Sequence, residues 1–226
     1  MNNKVIKFFA IVSIFCLLSM TTVFSACKQT PDYLSYVSEL RKDVFCGEKD
    51  NFSVVVFAGT KEKPATFDGD KKETLLFLTF KVMQKEECGS VITVNFELND
   101  KKYSQQLQFN PVKSTLSCDV EVTSLPEKNL TVELIFGENS TVITTYSKLN
   151  EDTVKYTQAL DKAIEKAQPF LKEHTKDGVL KAEIVVRLLC ENDKNYYYVG
   201  FVCEEGLKQA YLIDGKTCQI IAEKIN

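Results

Sequence analysis

The chain has no tryptophan, a single histidine and no CxxC pair. Each absence excludes a class of chemistry. One histidine, His174, removes most His-rich metal sites, and any Ser–His–Asp arrangement would have to use it. No G-x-S-x-G elbow is present to hold a serine nucleophile. Without CxxC spacing, neither a zinc ribbon nor a thioredoxin-like redox motif is expected. Clustered cations are also missing, and the formal net charge is −3. Phosphate backbones need clustered Lys and Arg, so nucleic acid is not an expected partner.

What is present begins at the N-terminus. MNNKVIK carries Lys4 and Lys7 and no acid, and a run follows that is apolar from Phe8 to Leu18 and nearly so to Phe24. Ser25 and Ala26 supply small residues at its end. A basic start, an apolar middle and a small-residue end read as a secretory signal over residues 1–26. The run lies near the roughly 18–20 apolar residues a spanning helix needs, so a retained anchor is the alternative. No later run is as long and apolar. Removing the signal's two lysines leaves 26 basic against 31 acidic residues, a net charge of −5. That also disfavours a polybasic membrane patch.

Phe24, Ser25, Ala26 and Cys27 run apolar, small, small, cysteine. This stretch resembles the lipobox of bacterial lipoprotein signals, with Phe24 standing where that family usually has leucine. The resemblance implies diacylglyceration of the Cys27 thiol, cleavage before it, and tethering to the outer side of a membrane. Each buried acyl methylene adds about 0.8 kcal/mol of membrane affinity. Residues 27–50 would then hold the lipidated N-terminus, a stalk and an entry segment. Tyr33–Phe45 within it fits either a short helix or an extended stretch.

Cys16 leaves with the signal, so six cysteines remain besides Cys27. Cys46, Cys88 and Cys118 fall in the first half; Cys190, Cys203 and Cys218 fall in the second. Full pairing would need at least one bridge between the halves. Export favours disulfides, whereas Cys118 and Cys190 sit in strand patterns where a thiol packs as a small hydrophobe. The sequence leaves both readings open. Three N-x-[ST] triplets start at Asn51, Asn129 and Asn139 and support a rival reading, a secreted glycosylated protein.

Short β-branched and aromatic runs follow at 51–57, 73–83, 91–98, 101–109, 116–122, 129–136 and 140–147. Between them lie turn signals: the 58–70 loop, Asn99-Asp100 and Gly137-Glu138-Asn139. Seven strands with no helical pattern between them predict an immunoglobulin-like antiparallel β-sandwich over residues 51–149. The period then changes. Val154, Leu160, Ala163, Ile164 and Ala167 recur at three and four, with Asn150 as expected N-cap, Glu151 and Asp152 in the first turn and Pro169 as breaker. Strands at 179–190, 195–203, 207–214 and 218–225 complete residues 150–226 as a helix packed on a four-stranded antiparallel meander. The expected fold class is therefore mainly β with an α+β C-terminal part.

Within this last region, Tyr196-Tyr197-Tyr198-Val199 and Ala210-Tyr211-Leu212-Ile213-Asp214-Gly215-Lys216-Thr217 resemble the PepSY family. Cys218 stands where that family usually has glycine. The resemblance implies an exported or envelope module, sometimes attached to peptidases, and no catalysis. The whole chain is similar to small lipoproteins of Gram-positive anaerobes.

No catalytic set emerges. His174 reads as a solvated helix end. Asp68-Gly69-Asp70 and Asp214-Gly215 read as turns, since calcium needs six to eight oxygens. Glu86-Glu87 and Glu204-Glu205 read as solvated turn charges. Tyr196, Tyr198 and Tyr211 are the candidate ligand or partner contacts, weighed against ordinary half-buried sheet packing. The expectation is a non-enzymatic, lipid-anchored binding or interaction module without metal or cofactor. Its partners would be the membrane, through Cys27, and an envelope protein or peptidase. The alternatives are a secreted disulfide-bonded protein and a hydrolase with an unrecognised site.

Overall fold

In the computed structural model, residues 31–64, 72–84, 91–111 and 114–225 are described. Cys27, Cys88, Asp68-Gly69-Asp70 and Glu86-Glu87 lie outside them. Among the described residues, after a 3-10 turn at Tyr33–Tyr36, fifteen strands follow in chain order. They are β1 (Val37–Lys49), β2 (Phe52–Glu62), β3 (Thr74–Gln84), β4 (Thr93–Leu98) and β5 (Lys101–Gln106). Next come β6 (Gln108–Asn110), β7 (Thr115–Glu121), β8 (Asn129–Phe136) and β9 (Asn139–Ser147). Helices α1 (Tyr156–Lys166) and α2 (Gln168–Glu173) precede β10 (Thr175–Lys176) and β11 (Val179–Leu180). The chain closes with β12 (Glu183–Glu191), β13 (Lys194–Cys203), β14 (Gly206–Asp214) and β15 (Ile220–Ile225).

The protein is mainly β, and its antiparallel sheet is nearly closed into a barrel. The closure can be followed strand by strand. From β1 one arm runs through β2, β3 and β7 to β6; the other runs through β9, β8 and β4 to β5. The two ends are one stretch of chain, 101–110, interrupted at Leu107. Leu107 N–H donates to Ile92 O at 2.8 Å, and its side chain is buried. The 101–109 run is thus two strands, because its halves pair with opposite arms. Phe45, Phe80, Val94, Phe96, Val132 and Leu134 fill the interior.

A second core lies outside this wall. Val44 and Phe57 are cross-strand partners, as are Phe45 and Val56 one step along. Successive strand residues face opposite sides. Phe45 and Val56 therefore enter the barrel interior, while Val44 and Phe57 join α1, α2 and the β12–β15 meander around Leu171, Ile184, Val199 and Phe201. Buried hydrophobes on both faces make β1 and β2 a shared wall. The meander hangs from it through a parallel pair, Val37–Arg41 beside Ile184–Arg187. The entry segment, Tyr33–Phe45, is thus a 3-10 turn followed by a central strand, and residues 27–30 of the expected stalk lie outside the described residues.

Three local expectations are corrected. β2 continues through residue 62, where the 58–70 stretch was expected to be a loop, because Ala58–Glu62 pair with Thr74–Leu78. The first helix starts at Tyr156, not at Asn150. Asn150 instead closes a turn, accepting Thr153 N–H at 3.1 Å and Thr153 Oγ1–H at 2.8 Å. Val154 is held outside the helix by its N–H on Gly215 O at 2.7 Å and by Tyr197 Oη–H on its own carbonyl at 2.8 Å. Tertiary bonds thus outweigh the local capping preference. The 179–190 run divides: Val179–Leu180 pairs with Thr175–Lys176, and Lys181 N–H donates to His174 O at 2.8 Å. Pro169 stands in the first turn of α2, where its missing N–H costs nothing.

Candidate functional site

Strand β4 alternates. Val94 and Phe96 are buried in the barrel, so Asn95 and Glu97 project outward. β8 and β9 alternate in phase: Thr131 and Glu133 face out on β8, Val142 and Thr144 on β9. The registers align these residues in rows. Asn95 lies between Ser104 of β5 and Glu133 of β8, and Glu133 is opposite Val142. One step along, Glu97 is opposite Lys102, and Thr131 is opposite Thr144 with their hydroxyls 3.1 Å apart.

These rows line a depression of about 600 Å³, with Phe96 and Tyr103 at its β4–β5 side. Asn95 Nδ2 donates to Glu133 Oε2 at 3.2 Å. That bond fixes which way the amide points. Asn95 Oδ1 is shut off from solvent and accepts no hydrogen bond. A shielded carbonyl without a donor costs about 1–3 kcal/mol and calls for an explanation. Tyr103 stacks on Phe96 with ring centres 4.8 Å apart, and Lys101 Nζ lies 5.2 Å from its ring centre. Desolvation pushes the Tyr103 phenol up, but hydrogen bonds with Thr123 and the Lys101 charge outweigh it and hold the phenol below its usual value. The outward face therefore offers carboxylates, an amide, hydroxyls and one ammonium, while the Phe96–Tyr103 stack lies on the barrel side of the same strands.

The tyrosines singled out from sequence lie elsewhere and are not all together. Tyr196 and Tyr198 share the open face of the meander, half-buried, with the Arg187 guanidinium 5.9 Å from the Tyr198 ring centre. Tyr211 pairs with Val199, which faces the helices, so Tyr211 is buried on the opposite face. Its hydroxyl donates to Gln209 Oε1 at 2.9 Å. An aromatic platform on the open face thus has two members. Asp214 Oδ1 accepts Lys216 N–H, Thr217 N–H and Thr217 Oγ1–H at 2.9, 2.7 and 3.0 Å, a turn carboxylate fully used by its own loop. His174 stacks on Phe170 at 4.0 Å at the end of α2. Among the described residues no group of three His, Cys, Asp or Glu side chains could hold a metal, and no helix is long and apolar enough to cross a membrane.

Sequence reasoning missed the depression. Each of its strands was legible, and the outward positions follow from the alternation. The order β5–β4–β8–β9, which gathers those positions, was not. Comparison with protein-family models, curated proteins and solved structures finds no match for the chain.

Proposed function

We propose that the chain is a non-enzymatic binding protein, lipid-anchored at Cys27 outside the membrane, whose ligand seats in the β5–β4–β8–β9 depression. The N-terminal strands, in this reading an immunoglobulin-like sandwich, carry the ligand site. The PepSY-like helix and meander present Tyr196 and Tyr198 to an envelope protein or peptidase.

One observation carries the ligand assignment: side-chain donors and acceptors alternate across the depression. Asn95, Ser104, Lys102 and Thr131 donate; Glu97 and Glu133 accept. A hydroxyl-rich ligand of little charge, such as an oligosaccharide, both donates and accepts at each group and keeps its hydrogen bonds on leaving water. The test is titration calorimetry of the purified chain against a panel of neutral oligosaccharides, with Glu133→Gln and Asn95→Ala beside it. The account expects binding that each variant weakens at least tenfold while the fold persists. Binding that neither variant touches, or none across the panel, overturns it.

A secreted, glycosylated protein is the second reading, supported by the exposure of Asn129 and Asn139. A glycosidase-sensitive mass in the native protein would favour it.

A further inference from the structure

Two thiols far apart in the sequence flank one lysine. β1 and β12 run side by side as far as Arg41 and Arg187; beyond that point the end of β9 enters at the β1 edge. Cys46 is the cross-strand partner of Tyr146. Two residues on, Lys148 N–H donates to Val44 O at 2.8 Å. On its other side, Asn195 Nδ2 donates to Lys148 O at 2.9 Å, and Asn195 is the cross-strand partner of Cys190. Cys46 is thus two residues along β1 from the Val44 that holds Lys148, and Cys190 stands opposite the Asn195 that holds it from the other side. Both are half-buried and pack against the helix-side core. We infer that Cys46 and Cys190 form a disulfide once the chain meets an oxidant, fastening the meander to the barrel wall where their strands part.

The surroundings of the thiols agree. Burial raises both, the Lys148 ammonium pulls both back toward the thiolate, and Cys46 senses Cys190 directly. Among the described residues, the charged neighbours of the other thiols contain no cysteine: Asp119 for Cys118, Lys208 and Glu205 for Cys203, Lys162 and Asp161 for Cys218. The pair also joins the two halves of the chain, which full pairing of three cysteines in each half requires at least once.

The reaction is thiol–disulfide exchange with an external disulfide of the glutathione class. One protein thiolate attacks it, forming a mixed disulfide and releasing one small thiol. The second protein thiolate then displaces the other small thiol and closes the Cys46–Cys190 bond. Two electrons pass to the external disulfide, and the two protein thiol protons end on the two released thiols.

The test is non-reducing peptide mapping by mass spectrometry of the full chain after incubation with oxidised glutathione. Melting curves are recorded in both states. The expected result is a linked Cys46–Cys190 peptide, both thiols protected from alkylation, and a melting temperature that rises on oxidation and falls on reduction. Cys190→Ser should remove that shift. Separate glutathione adducts on the two thiols, free alkylation of both, or linkage of either to another cysteine overturns the inference; the mapping needs no variant.

Discussion

Arg187 grips Glu39 with two parallel hydrogen bonds across the parallel seam: Nε to Oε1 at 2.9 Å and an Nη to Oε2 at 2.6 Å. Arg41 adds a third bond to Oε1 at 2.6 Å. The carboxylate thus ties the meander to the barrel wall through Arg187, while Arg41 braces it from its own strand. Its side chain is 18% exposed, so water screens it only in part. A bidentate, partly buried pair is worth about 1–2 kcal/mol, and lysine cannot reproduce the fork. Arg187→Lys and Glu39→Gln should each lower the urea midpoint by that order, with the slope unchanged.

The same carboxylate makes stability depend on acid. Burial alone would raise Glu39, but the Arg187 hydrogen bond and the charges of Arg41 and Arg187 outweigh it and hold the group below its ordinary value of 4.5. A depressed carboxyl contributes its stability above its unfolded value and loses it as pH falls through the folded one. Unfolding free energy followed downward from pH 5 should fall in the wild type and fall less steeply in Glu39→Gln. Identical limbs would remove Glu39 from the account.

Gly59 lies opposite Arg41, where the β1–β2 register slips. A Cβ there would stand 1.8 Å from Leu40 O, a backbone atom with no rotamer to move. Gly59→Ala should cost on the order of 3 kcal/mol or leave the protein unfolded. Gly137, in the β8–β9 hairpin at φ +61°, has open space around it. Gly137→Ala should cost only about 1 kcal/mol, from the strained φ. Thermal melts of the two variants make the comparison.

Tyr197 reaches Val154 from within the helix-side core. Burial, with the charges of Asp43 and Cys218, pushes its phenol up to about 12. Titration of tyrosine absorbance near 295 nm should therefore show a late phenol that is missing in Tyr197→Phe. Losing the bond to Val154 should cost about 1 kcal/mol.

The shared wall makes the two cores unfold together. Phe45→Ala in the barrel core should cost about 3–5 kcal/mol, and Val44→Ala, one residue away in the other core, about 2 kcal/mol. Both should shift one cooperative transition followed by circular dichroism and fluorescence. Two separable transitions would show that the cores are independent.

Much of this fold could be read from residues alone. The β8–β9 hairpin, the Asn99-Asp100 and Asn192-Asp193 turns at positive φ, and the run from helix to meander follow from local pattern. Those signals act over a few residues. The parallel β1–β12 pair was not legible, because its partners are about 146 positions apart and Val37–Phe45 looks like an entry segment. The helix start was misread because Gly215 and Tyr197 hold Val154 outside the helix. The depression escaped because solvent-facing Asn, Glu, Ser and Thr look ordinary until neighbouring strands bring them together. Tyr211 left the expected platform through one residue of register.

The central claim is a binding module tethered outside the membrane, and the most direct test is the intact mass of the native protein's N-terminal peptide, extracted with and without detergent. The account predicts a peptide that begins at Cys27, carries acyl mass and appears only in the detergent extract. An N-terminus without lipid, recovered equally without detergent, would contradict it.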